Sequence, residues 1–208
     1  MNMQMNILNK SASVISVIFS PLLIPTYGLA ILMAVLSRQF VLPAVTVAVI
    51  MSVVFILTGL LPYVIIRSMV KLNYVKNLDL TDRRERLVPF LAAFLLYVVA
   101  VVYLYKVNLP LWMLAFMIGG VAALAVAAIV SRRWKISAHA TAVGGLSAVG
   151  LVCSLMLPGG LWLLCLTLLA AGLVMTSRLI LGVHTPGQVY AGWLNGFVLV
   201  ITAMFLIH

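Results

Sequence analysis

The chain has 208 residues, 65% of them hydrophobic and 8% charged, with a mean hydropathy of +1.27. A soluble domain is about one quarter charged, so this composition excludes one. Thirteen Lys and Arg stand against three acids, Asp79, Asp82 and Glu85, all within one seven-residue stretch. The separated carboxylate pair of most glycosidases is therefore absent, and a carboxylate-rich Mg²⁺ or Ca²⁺ site is not expected. Chemistry must rest on His, Ser, Lys and Arg, with no metal and no cofactor.

Hydrophobic runs long enough to cross a bilayer, about 20 residues each, recur along the chain. They lie near 12–37, 42–66, 88–105, 110–130, 137–157, 161–177 and 188–207. The expected fold is all-α, a polytopic membrane helix bundle. The third run is short and the sixth merges with the segment after it, so six or seven transmembrane helices are expected. No room is left for a soluble unit, and 1–208 reads as a single integral-membrane domain. The first run is too long for a signal-peptide core and lacks a cleavage site. Pro21, Pro25 and Pro62 read as kinks or caps. Cys153 and Cys165 fall inside runs and read as small buried hydrophobes.

The net charge of +10 would suggest nucleic acid in a soluble protein. Here it sits at membrane edges, so the partner is the bilayer and no nucleic acid is expected. With seven crossings, the N-terminus, 67–87, 131–136 and 178–187 share one face. It carries Lys10, Arg67, Lys71, Lys76, Arg83, Arg84, Arg86, Arg132, Arg133, Lys135 and Arg178, against Arg38 and Lys106 on the other. Without Lys76, Arg83, Arg86 and Arg178, seven still oppose two. The basic face is expected to be cytoplasmic, in a multi-pass protein of a bacterial inner (plasma) membrane.

Three segments of that face hold nearly all the reactive side chains. In Lys76 to Pro89, a helix would put Lys76, Arg83 and Arg86 on one side, and arginine forks suit phosphate. Ser137 reads as the N-cap of the fifth run, with His139 in its first turn. In Ser177-Arg178 through His184 to Gln188, Thr185 starts a helix, Pro186 fits its first position and Gln188 completes a capping box. His184 thus sits at a helix N-terminus, which favours an anion. Each segment has a plainer reading: a solvated basic loop, an ordinary cap, an interfacial histidine. Their coincidence on one face is the stronger signal.

Together these residues resemble the type 2 phosphatidic acid phosphatase superfamily over about 75–188. That family shows Lys-x6-Arg-Pro, Pro-Ser-Gly-His and Ser-Arg-x5-His-x3-Asp. Lys76-x6-Arg83, Ser137-Ala138-His139 and Ser177-Arg178-x5-His184-x3-Gln188 match these spacings. Arg84 follows Arg83 where the family has Pro, and Pro89 follows Arg86 by three, so either arginine can be the family's. Ile136 and Ala138 replace the second motif's Pro and Gly.

The resemblance implies a metal-independent membrane lipid phosphatase. His184 would attack phosphorus, His139 would act as acid and base, and Lys76, Arg83 or Arg86, Ser137 and Arg178 would bind phosphate. The substrate would be phosphatidate, phosphatidylglycerophosphate or a polyprenyl phosphate or diphosphate. Gln188 replaces the Asp that orients the family's nucleophile, and a comparable Asp→Asn change in a serine protease costs about 10⁴ in rate. Asp79, Asp82 or Glu85 could supply the missing charge, or else orient Arg83, Arg84 and Arg86. A non-catalytic lipid-phosphate binder or carrier is the alternative, and a small transporter a weaker one.

Overall fold

The computed structural model describes residues 2–36, 42–78, 80 and 82–207, so Arg38 and Asp79 lie outside it. It is an all-α bundle, with no strand among the described residues. The helices are α1 (Asn2–Ile18), α2 (Ile24–Leu36), α3 (Ala44–Phe55), α4 (Leu61–Lys71), α5 (Leu87–Lys106), α6 (Leu111–Ser131), α7 (Ala138–Met156), α8 (Leu161–Ile180) and α9 (Pro186–Leu206). Among the described residues, six helical stretches are long and apolar enough to cross a membrane: 44–71, 87–106, 111–131, 138–156, 161–180 and 186–206.

The run at 12–37 is not one crossing. The helix stops after Ile18 and restarts at Ile24. Pro21 has no N–H to give a continuing helix, and it pushes Ser20 out of helical geometry. The last turn closes through Phe19 N–H to Ile15 O at 2.9 Å, and Leu23 N–H then bonds Ser20 O at 2.9 Å across the break. Pro25, second in α2, costs nothing because early helical N–H groups are unpaired anyway. The sequence of α1, rich in Asn, Ser and Gln, lacks the apolarity of the six spans. Six crossings therefore follow from a break in the first run, and not from the short third or the merged sixth. Alternation of the six still puts 72–86, 132–137 and 181–185 on one face, while the side of Lys10 no longer follows from counting.

The stretch 44–71 survives its proline differently. A π-helical segment, Ile56–Leu60, joins α3 to α4 just before Pro62. Leu61 N–H reaches back five residues to Ile56 O, which widens the turn where the proline ring would crowd a carbonyl.

The centre of the bundle is α7, most of whose residues are buried. Lipid supplies no hydrophobic drive between helices, so close packing over small residues holds them together. A Cβ on Gly196 of α9 would lie 1.8 Å from Thr141 O, and one on Gly144 of α7 2.1 Å from Trp193 O. Gly196→Ala must therefore part α7 from α9, at a cost of at least about 1–3 kcal/mol. Gly172→Ala, where a Cβ meets nothing within 4 Å, should be neutral or slightly stabilising. Thermal unfolding of both variants in one detergent checks this contrast, and equal melting temperatures would refute it.

Candidate functional site

The three reactive segments meet at one end of the bundle, where α7 and α9 begin, α8 ends and a loop enters α5. That loop is not a helix beyond the 3-10 turn Arg83–Glu85. Leu80 has a positive φ of 49°, which no continuous helix from Lys76 to Arg86 would allow, and Asn73 ahead of it has one of 59°. Lys76, Arg83 and Arg86 consequently do not share a face.

Asp82 caps the 3-10 turn by accepting from Arg84 N–H at 3.0 Å. Its other oxygen takes Lys76 Nζ at 3.2 Å. Glu85 accepts from Lys76 N–H at 2.8 Å and lies 3.7 Å from its Nζ. The hydrogen bond to Asp82 holds the Lys76 ammonium above its ordinary pKa. Asp82 is held below the carboxylate range, first by the Arg84 amide and then by Lys76. The Lys76 side chain is 70% exposed and does not line the cavity described below. Asp82 and Glu85 thus serve Lys76 and the turn, and the charge of Asp82 also favours the Arg86 cation. Arg83 is exposed and donates to Arg133 O.

Arg86 is different. It is 3% exposed, with Nε donating to Leu80 O and Nη1 to Ile136 O, both at 2.7 Å. It ties the loop to the residue before the Ser137 cap. Burial, then the nearby charge of Arg178, lowers its pKa to about 10, so it remains a cation at neutral pH. Arg178, in the last turn of α8, is 2% exposed.

Ser137 is fully buried and accepts from Ala140 N–H at 3.3 Å through Oγ. Its N–H bonds Gln188 O at 3.3 Å, and its carbonyl takes the Thr141 hydroxyl at 3.0 Å. It caps α7 and ties it to the first turn of α9, and it does not line the cavity.

The tautomers of both histidines follow from their partners. Gln188 Oε1 lies 3.2 Å from Thr185 N and 3.1 Å from His184 Nδ1, as part of the capping box that starts α9. A backbone N–H can only donate, so the atom facing it is the amide oxygen, and Nδ1 must carry a proton to bond that oxygen. The lone pair of His184 is then on Nε2. Burial, reinforced by the charges of Arg86, Lys135 and Arg178 and opposed by the bond to Gln188, lowers the His184 pKa to about 4. Lys135 is lowered as well, by burial and then by Arg86 and Arg178. His139 Nε2 lies 3.2 Å from Ser16 O. A carbonyl only accepts, so Nε2 carries the proton and Nδ1 is the remaining nitrogen.

Arg86, Arg178, His139 and His184 line one cavity of about 410 Å³. Two buried guanidiniums and two imidazoles thus face one space. The rest of the wall is mostly apolar, from Leu22 and Leu23 at the first break, Phe55 and Leu60 at the π-turn, and Phe90. Of the residues singled out in the sequence, these four lie in the cavity, Gln188 stands behind His184, and Lys76, Arg83 and Ser137 lie outside the lining. What sequence reasoning missed is α1 and the break after it: Ser13 and Ser16 of α1, and Ser20 in the break, line the cavity too. The spacing of three between Ser13 and Ser16, one helical face, was the available signal. Among the described residues no three of His, Cys, Asp and Glu group to hold a metal ion.

No family model, no curated protein and no solved structure matches the chain.

Proposed function

We propose that the chain is a metal-independent membrane lipid phosphatase working as type 2 phosphatidic acid phosphatases do. One observation carries this reading: two histidines, each with a nitrogen left for chemistry, share an otherwise largely apolar cavity with two buried arginines. Clustered buried cations suit an anion, and apolar walls suit a lipid's chains.

His184 Nε2 attacks phosphorus, and the P–O bond to the lipid breaks with its electrons on the leaving oxygen. His139 takes up a proton on Nδ1 with the phosphate anion that binds beside it, and as imidazolium gives it to that oxygen while Ser16 O keeps hold of Nε2–H. In the second half a water attacks the phosphohistidine, His139 Nδ1 takes its proton, and the P–N bond breaks to release phosphate. Splitting one displacement into two lowers each barrier, and the pre-placed charges of Arg86 and Arg178 stabilise the transition state. Phosphatidate, phosphatidylglycerophosphate and polyprenyl phosphates or diphosphates are the substrates proposed. The basic face is proposed to be cytoplasmic, in a bacterial inner membrane, because positive charge concentrates there.

Purified protein in detergent and EDTA is expected to release phosphate from at least one of these lipids. Release that requires added Mg²⁺ would overturn the mechanism. One observation favours a second reading, a lipid-phosphate binder without turnover: Gln188 orients His184 but gives its imidazolium no counter-charge.

Gln188 also gives a pH prediction. His184 must be neutral to attack, and its pKa is about 4, so the acid limb of kcat/KM should lie near that value, the alkaline limb reporting loss of the His139 proton. In Gln188→Asp the carboxylate stabilises the imidazolium and raises the pKa. The acid limb should therefore move to higher pH. A pH profile that is unmoved, or moves down, would contradict the role assigned to Gln188.

A further inference from the structure

The cavity does not end at the histidines. A second void of about 80 Å³ lies between α2, α5, α6, α7 and α9. Pro21, Tyr97, Leu124 and Ala138 line both, so the two adjoin across these side chains. Tyr97 stands at the junction, its hydroxyl donating to Pro21 O at 3.2 Å. Beyond it no charged side chain among the described residues lines the void, and the Thr141 hydroxyl there is already bonded to Ser137 O.

One face of α6 forms a wall of this annex. Phe116, Gly120, Ala123, Leu124 and Ala127 line it, at the spacings of four and three that put residues on one side of a helix. Gly120 is the gap in that face. A Cβ there meets nothing within 4 Å, whereas on the adjacent Gly119 it would lie 2.6 Å from Val200 Cα. Gly119 thus lets α9 approach, and Gly120 leaves space open. Phe116 closes the far end against Gly28, where a Cβ would be 2.3 Å from the ring.

We infer that this annex holds the end of one hydrocarbon chain of the substrate inside the bundle, and that Gly120 sets how much of it enters. The inference rests on the lipid-phosphate reading of the polar site. A phosphate between Arg86 and Arg178 anchors the molecule at the mouth, and the apolar void lies inward from there. Such a void has too few polar partners to hold water well, and left empty it forfeits dispersion contacts that a chain would restore. It is narrow, so a second chain must leave toward the bilayer past the first break and the π-turn.

The test is binding of butyl, octyl and dodecyl phosphate to the intact protein, with Gly120→Ala and Gly120→Leu, in one detergent. Partition of each ligand into micelles is the same for all three proteins, so it cancels in the comparison. Gly120→Leu should weaken dodecyl phosphate by about tenfold and butyl phosphate by less than about twofold, with Gly120→Ala between. If Gly120→Leu, melting at or above the wild-type temperature, weakens all chain lengths equally or none, the annex is not a chain site. If the wild type binds none of the three, the phosphate site itself fails, and the annex with it.

Discussion

Under the proposed mechanism His184→Ala is expected to abolish phosphate release, lowering kcat by at least about 10⁴ on the scale of other nucleophile deletions. The geometry requires this because His184 offers the cavity a nucleophilic nitrogen of fixed identity. Gln188 Oε1 is pinned by Thr185 N–H and in turn takes Nδ1–H, so Nε2 keeps the lone pair. Desolvation keeps that lone pair unprotonated far below neutral pH. His139, with Nε2–H held by Ser16 O, keeps Nδ1 for the proton transfers of both steps. The change removes a mostly buried ring without opening a backbone contact, so the variant should still fold. Phosphate release by His184→Ala within tenfold of wild type would end the proposed mechanism.

Arg86→Ala should lower kcat/KM by about 10²–10³, the usual loss for a pre-placed donor to a charged transition state. Arg83→Ala should change it by less than about threefold. Both arginines satisfy the spacing of a phosphate motif in sequence. In the structure one is sealed in the cavity wall beside Arg178, and the other reaches across the surface to Arg133 O. Arg86→Ala also leaves Leu80 O and Ile136 O without their donor, so part of the loss could be structural. Arg86→Lys separates the two effects. It keeps the charge but not the two-carbonyl fork, so activity should recover partly while the melting temperature stays low. A large loss in Arg83→Ala with wild-type behaviour in Arg86→Ala would reverse the assignment.

The bundle was legible because a bilayer demands long apolar runs, and five of the seven expected runs reappear as continuous helices with ends shifted by a few residues. The run at 42–66 also reappears, continued to Lys71 through a π-turn that hydropathy does not register. The break in the first run was hidden for the same reason. Hydropathy averages over Ser20-Pro21 as over any kink, and whether a proline bends or ends a helix depends on what the freed segment packs against. Here it packs against the site, which is why the contribution of Ser16 went unseen. His139, Arg178 and His184 were found because their spacing relative to helix starts and ends is local. The capping role of Gln188 was legible on the same ground. Arg83 and Arg86 could not be separated, because that needs the loop's path, and positive φ at Asn73 and Leu80 is not written in residue type. The bonds of Asp82 and Glu85 to Lys76 were hidden for a related reason, since only a turning loop brings them about.

The central claim is that phosphorus passes through His184. Its most direct test is rapid quenching of the protein in EDTA with a lipid labelled in its phosphate, followed by peptide mapping. The account predicts acid-labile label on His184, absent in His184→Ala and longer-lived in His139→Ala, where the second step lacks its base. Turnover of the same lipid with no label on His184 at any time point, in either protein, would contradict it.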